Sequence, residues 1–343
     1  MADLSRASRP PAPNKPRANR SASPSGQLDI PTISRRIISN IEQVVVGKRQ
    51  QIVRILVAWY CEGHVLLEDV PGVAKTILAR AFAGSAGCSF NRIQCTPDLL
   101  PTDVTGGSIF NQKVSEFEFR PGPIFSQLVL VDEINRATPR TQAALLEAMA
   151  ESTVTIDGHS HPLKPPFLLV ATQNPIDHEG TFPLPEAQLD RFLIKLSLGY
   201  PTLGEESQML EMLKQEHPLT KLQPVVSVEQ LVACQQAVRT VHVDENIRHY
   251  ITQLVHATRE HEELSLGGSP RASIALYRTA QAVAAIRGRN YVEPEDVKQV
   301  VPPVLTHRMI LKPESRLRQV SISEILVDIM DETPVPLLEK SGT

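Results

Sequence analysis

The sequence predicts an α/β protein: a parallel sheet covered on both faces, followed by a region of helices alone. Two observations carry this. Between residues 64 and 196, five short apolar runs alternate with helix-spaced segments, the pattern of strands buried on both faces. Beyond Pro201 the short runs cease and helical periodicity remains. The 343 residues suffice for two domains with a sizeable core.

Residues 1–27 are rich in Ser, Pro and Arg and nearly free of large apolar side chains, so they cannot offset the entropy of ordering and are expected to form a disordered tail. Order begins near Ile30. Residues 32–43 and 48–62 place Ile33, Ile37 and Ile41, then Ile52, Leu56 and Trp59, at helical spacing. The expected strands are His64–Leu67, Phe90–Cys95, Leu128–Asp132, Phe167–Ala171 and Phe192–Leu196, with helices over Lys75–Ser85 and Thr141–Glu151. Residues 28–201 then form the α/β domain, 202–333 a helical domain and 334–343 a C-terminal tail. In the helical part Ser227 and Gln230 form a capping-box pair, and Asp244 caps a helix through Ile247, Ile251, Leu254 and Val255. Further helices run from Arg271 to Ile286 and from near Pro294. Two alternating stretches read as hairpins. One spans 108–119; the other spans 152–163 and turns at Asp157-Gly158. The second carries His159 and His161, which share a strand face suited to a metal but lack a third ligand nearby.

Composition narrows the function. Lys plus Arg is 35 against 38 for Asp plus Glu, a net charge of −3, and aromatics are 4%. Neither suits a nucleic-acid binder, which needs a basic footprint or stacking surfaces. Cys61, Cys88, Cys95 and Cys234 show no metal-site spacing and read as free thiols of a reducing compartment. No apolar run approaches the about 18 residues of a membrane span, and no secretory leader opens the chain. A cytoplasmic protein without stable membrane insertion is expected.

Three motifs carry chemistry. The stretch Glu68, Asp69, Val70, Pro71, Gly72, Val73, Ala74, Lys75, Thr76 follows a strand and opens a helix, as a phosphate loop does. Such a loop cradles phosphate oxygens with backbone N–H groups and a helix N-terminus. Lys75 would neutralise the β- and γ-phosphates and Thr76 would hold Mg²⁺. Two positions depart from the common pattern, with Asp69 and Ala74 where glycines are usual. Asp tolerates unusual backbone angles, and Ala74 fits if its φ is negative. The second motif, Leu128–Glu133, is a buried strand ending in two acids. Asp132 would bind Mg²⁺ through water, and Glu133 would act as general base on the attacking water. The third, Leu169–Asn174, is an apolar strand ending in a side chain that can orient water or meet the γ-phosphate.

With these motifs in hand, the sequence resembles the AAA+ ATPases, specifically their MoxR branch. The matching strings include Val46-Gly47-Lys48, Leu66–Gly72, Arg92–Pro101, Phe119–Phe125, Val131–Ala137, Ala171–Pro175, Glu179–Phe192 and Gly268–Ala272. The resemblance implies an AAA+ domain with sheet order 5-1-4-3-2 and a helical lid, with Val46 and Gly47 in the nucleotide site. It implies a ring homo-oligomer, usually a hexamer, with ATP at subunit interfaces. Arg191 matches the arginine finger that reaches the neighbour's γ-phosphate, a task suited to a planar, permanently charged guanidinium. Arg271 matches the sensor 2 arginine. The hairpin insertions of such proteins project from the ring toward substrates or partners. The implied function is ATP-driven, chaperone-like remodelling of a protein client, often with a von Willebrand factor A domain partner, metal or cofactor insertion being one family role. The alternatives are a motor on nucleic acid, a chelatase-type subunit and a non-hydrolysing switch. Glu133 and Arg191 together argue against the last.

Overall fold

A computed structural model describes residues 28–113, 115–175, 180–212 and 218–336. The expected N-terminal tail and most of the C-terminal one lie outside these residues.

The chain opens with α1 (Ile30–Glu42), whose first turn is fixed by Asp29 accepting the Thr32 N–H, and α2 (Arg49–Tyr60). Then come β1 (Val65–Glu68), α3 (Lys75–Ser85), β2 (Phe90–Gln94), α4 (Pro101–Thr105), and the hairpin β3 (Gly106–Asn111) with β4 (Glu116–Pro121). After these follow β5 (Leu128–Asp132), α5 (Pro139–Glu151), the hairpin β6 (Thr153–Ile156) with β7 (His159–Pro162), β8 (Leu168–Gln173), α6 (Glu186–Leu189) and β9 (Ile194–Leu196). The second half contains α7 (Leu203–Met212), α8 (Pro218–Lys221), α9 (Val228–Val238), α10 (Glu245–Glu260), β10 (Leu264–Leu266), α11 (Pro270–Ile286), α12 (Pro294–Leu305), β11 (Ile310–Leu311), α13 (Pro313–Leu317) and α14 (Ile322–Glu332).

The five core strands pair in the order β2-β5-β8-β1-β9, all parallel. Counted in chain order this is the expected 5-1-4-3-2 arrangement. Alternate residues of one strand serve two cores, as the strand period of two requires. Leu128 and Leu130 of β5 pack with α1, α2 and α3, while Val129 and Val131 pack toward α5 and the second hairpin. Because every pairing is parallel, the carboxyl ends of β1, β5 and β8 finish on one edge. Glu68, Asp132 and Gln173 therefore lie together, where open α/β sheets bind ligands.

The lid helices share a continuous apolar core with α1–α3, and Gln235 of α9 ties the two by donating to Trp59 O at 2.7 Å. The Ser227–Gln230 capping box and the Asp244 cap form as the sequence predicts. One expectation fails: the second half is not helical throughout, because β10 and β11 pair as a short antiparallel ladder. Strands of two or three residues are too short to show a period.

Both hairpins form. Asp157 and Gly158 take the positive φ values that a tight two-residue turn demands, 50° and 79°. Ser108 of the first hairpin donates to Asp157 of the second at 2.7 Å, so the two insertions are linked. His161 stacks on Phe119 with ring centroids 4.2 Å apart. Among the described residues no group of three His, Cys, Asp or Glu could hold a metal, so the His159–His161 pair has no third ligand there. The four cysteines are free, and no helix of the described residues is long and apolar enough to cross a membrane.

Candidate active site

The loop after β1 enters the site with Asp69 buried. Its carboxylate accepts from Ser197 Oγ at 2.7 Å, Leu198 N at 2.6 Å and Gly199 N at 3.0 Å. Asp69 does not appear among the positive-φ residues, so an unusual backbone angle is not why it stands there. Its side chain bolts the phosphate loop to the segment leaving β9. Its carbonyl accepts Lys75 Nζ at 2.8 Å, and its N–H donates to Gln173 O at 3.2 Å.

Gly72 has a φ of +88°, and a Cβ there would meet nothing within 4 Å, so this glycine serves the backbone rather than space. Ala74 departs from expectation: its φ is 61°, in the left-handed region, not negative. An L-residue there costs about 1–2 kcal/mol. What the geometry supplies in return is an uncapped start to α3. Ala74 is its N-cap and contributes no side-chain hydrogen bond, so the first-turn N–H groups stay open for an anion.

Pro71, Gly72, Ala74, Lys75 and Thr76 form one wall of a cleft of about 400 Å³. Asp132, Glu133 and Asn174 line the same cleft, joined by Arg92 and Gln94 from β2. Asp132 accepts from Arg92 Nη2 at 2.7 Å and from Thr172 Oγ1 at 2.6 Å. Glu133 sits just past the strand with a φ of 57°, and its N–H donates to Thr172 Oγ1 at 2.9 Å. Its carboxylate faces Arg136 at 3.2 Å and Gln94 Nε2 at 3.4 Å. Burial, then the charges of Asp132 and Glu133, push the neighbouring Cys95 thiol up to about 12, which removes it as a nucleophile.

The oxygen donors fit Mg²⁺ with a triphosphate. Magnesium keeps several waters and takes one or two carboxylates plus phosphate oxygens, and Thr76 and Asp132 offer hard oxygens to the same cleft. Lys75 and the α3 N-terminus supply the positive potential that the phosphates need.

Other expected site residues lie outside this cleft. Glu68 pairs with Lys195 at 2.5 Å, Val70 and Val73 pack into the core, and Val46 and Gly47 are not on the cleft wall. A Cβ on Gly47 would collide with the Glu205 side chain, so that glycine admits α7. Arg191 is exposed, donates to Leu146 O at 3.1 Å and lines no part of the cleft. Arg271 is also exposed and lies 4.0 Å from Asp190, the residue before Arg191. Neither arginine lines the cleft that holds Lys75.

Sequence reasoning missed Thr172, Arg92 and Gln94. Thr172 lay within a quoted strand, but only the register of β8 beside β5 makes its hydroxyl a bridge.

Comparison with known proteins agrees with this fold. Residues 64–194 fit the profile of the ATPase family associated with various cellular activities, and residues 256–329 fit an AAA lid domain. YeaC of Bacillus subtilis is 50% identical, with 91% of this chain and 97% of that protein covered. Chaperone MoxR1 of Mycobacterium tuberculosis is 41% identical over 88% of this chain and 82% of its own. A solved Cytophaga hutchinsonii protein superposes with a TM-score of 0.85 at 38% identity, covering 90% of this chain and 96% of that one.

Proposed function

The chain belongs to the MoxR family of AAA+ ATPases, and from that premise we propose that it hydrolyses ATP with Mg²⁺ at the Lys75–Glu133 cleft, in a ring whose neighbouring subunit completes each site. The observation that carries this reading is the meeting of Lys75, Thr76, Asp132, Glu133 and Asn174 around one cleft, with Arg191 exposed outside it.

In this reading Lys75 and the first-turn N–H groups of α3 hold the β- and γ-phosphates. Thr76 and Asp132 hold Mg²⁺, which when bound offsets phosphate charge. Glu133 takes the proton of the attacking water, and Asn174 orients that water. Arg191 of one subunit reaches the γ-phosphate held by the next, and Arg271 acts as the sensor 2 arginine that couples nucleotide to the lid. ATP turnover then remodels a protein client in a chaperone-like cycle. The name of the 41% identical relative and the two linked hairpins support that use. A von Willebrand factor A domain protein is the proposed partner class, on the family resemblance. The net charge of −3 keeps a nucleic-acid motor second.

Steady-state ATP turnover with and without Mg²⁺, for the native protein and Glu133→Gln, tests the site. The amide cannot accept the proton, so nucleotide binding persists while turnover falls by about 10²-fold or more. Equal turnover in the two proteins refutes the assignment.

A further inference from the structure

We propose that Asp190 and Arg308 are positioning residues for the finger Arg191, and that through them the lid sets the finger's place at the neighbour's site. This rests on the trans-acting role proposed above for Arg191.

Arg308 belongs to the lid, in the turn that ends α12, yet its side chain is only 3% exposed and spends its hydrogen bonds on the segment around Arg191. Nε donates to Asp190 Oδ1 at 2.8 Å. Nη2 donates to Phe192 O at 2.7 Å and Asp190 O at 3.3 Å, and Nη1 donates to Leu193 O at 3.1 Å. Nη1 also donates to Val304 O of α12. The guanidinium therefore grips the residues on both sides of Arg191 and leaves Arg191 outside. The adjacent His307 adds a bond from Nε2 to Phe192 O at 3.0 Å. Burial, then the Arg308 charge, hold this imidazole neutral, so Nε2 carries its one proton.

A second part of the lid meets the same carboxylate. Ser269, the N-cap of α11, donates from Oγ to Asp190 Oδ2 at 3.0 Å, and Arg271 follows in that helix's first turn. Asp190 thus receives one oxygen's contact from the end of α12 and the other's from the start of α11. Arg191 itself is exposed and, among the described residues, donates to the Leu146 carbonyl. A buried guanidinium costs free energy unless its fork is fully matched. Here the match is the finger segment, so displacing the lid must displace that segment or break the match.

An inter-domain glue would give a subunit that is weaker overall. A positioning pair gives one that fails only as a finger donor. The test is Asp190→Asn, which keeps shape and one acceptor, measured alone and in rings mixed with Lys75→Ala or Arg191→Ala subunits. Nucleotide affinity at its own cleft should stay near native while turnover falls by about tenfold or more. Mixing with Lys75→Ala, which carries an intact finger, should restore turnover; mixing with Arg191→Ala should not. Arg308→Lys, which keeps the charge but loses the fork, should show the same donor asymmetry. It also replaces Asp190→Asn if that variant melts early. Native turnover of both variants, lost nucleotide binding, or equal rescue by both partners overturns the proposal. If Lys75→Ala and Arg191→Ala fail to rescue each other in confirmed mixed rings, it is the trans-acting finger itself that fails.

Discussion

The Thr172 hydroxyl lies between the two acids of the cleft: it donates to Asp132 Oδ1 at 2.6 Å and accepts the Glu133 N–H at 2.9 Å. One side chain on β8 therefore fixes both the carboxylate assigned to the metal and the backbone of the assigned base. Glu133 needs such support, since its φ of 57° is costly for a residue with a side chain.

Thr172→Val tests that dependence. Valine fills the same volume but leaves the Glu133 N–H and Asp132 without this partner. Turnover should fall by about tenfold or more with nucleotide binding retained, and stability should fall by about 1–3 kcal/mol. Turnover assays beside urea unfolding check it. Native turnover would show that the bridge does not position the base.

Asp69→Gly restores the residue more usual at that loop position. If the position asked only for a pliant backbone, the change would be harmless. The buried carboxylate accepts three hydrogen bonds from residues 197–199, so glycine instead leaves the Leu198 and Gly199 N–H groups without their acceptor. Affinity for ATP should weaken by about tenfold or more, with Asp69→Asn in between. Titration with a fluorescent ATP analogue measures it, and native affinity in the glycine variant would contradict the reading.

These cases show what the sequence made legible. The phosphate loop, the strand ending in two acids and the Asp157-Gly158 turn are local patterns, readable within ten residues. Asp69 was read as a tolerant turn residue because its partners lie about 130 positions away, and nothing local marks them. Nothing local marks Arg308, since its partners at 190–193 are joined to it only by the packing of α12 against β9. Ala74 fits the loop on a condition of negative φ that the sequence cannot test, and the loop holds it at 61° instead. The β10–β11 ladder was missed because its strands are shorter than one readable period.

His64 opens a pH dependence. Its Nδ1 accepts the Leu169 N–H and its Nε2 donates to Met149 O, so the ring is held neutral inside the core. Burial pushes its pKa down to about 4, against about 6.5 when unfolded. Only the unfolded chain takes up this proton between those values. The stability His64 confers is therefore complete above about pH 6.5 and is lost as pH falls toward 4. His307, also depressed by burial, acts in the same direction. From pH 7 to pH 5 the unfolding free energy should drop by roughly 2 kcal/mol on account of His64 alone. Urea unfolding at the two pH values measures this, and His64→Gln should flatten the profile. A native profile that is already flat would contradict it.

The most direct measurement is ATP turnover in rings mixed from Lys75→Ala and Arg191→Ala subunits, across mixing ratios, with mixed rings confirmed by mass. Each variant alone should be nearly inactive: the first lacks the phosphates' counter-charge and the second lacks the finger, worth about 10³–10⁵ in rate in GTPase systems. Mixed rings contain interfaces where an intact Lys75 cleft meets an intact Arg191, so turnover should rise to a maximum at an intermediate ratio. Zero turnover at every ratio would mean that Arg191 acts within its own chain or only supports the fold, and would contradict a site completed by the neighbouring subunit.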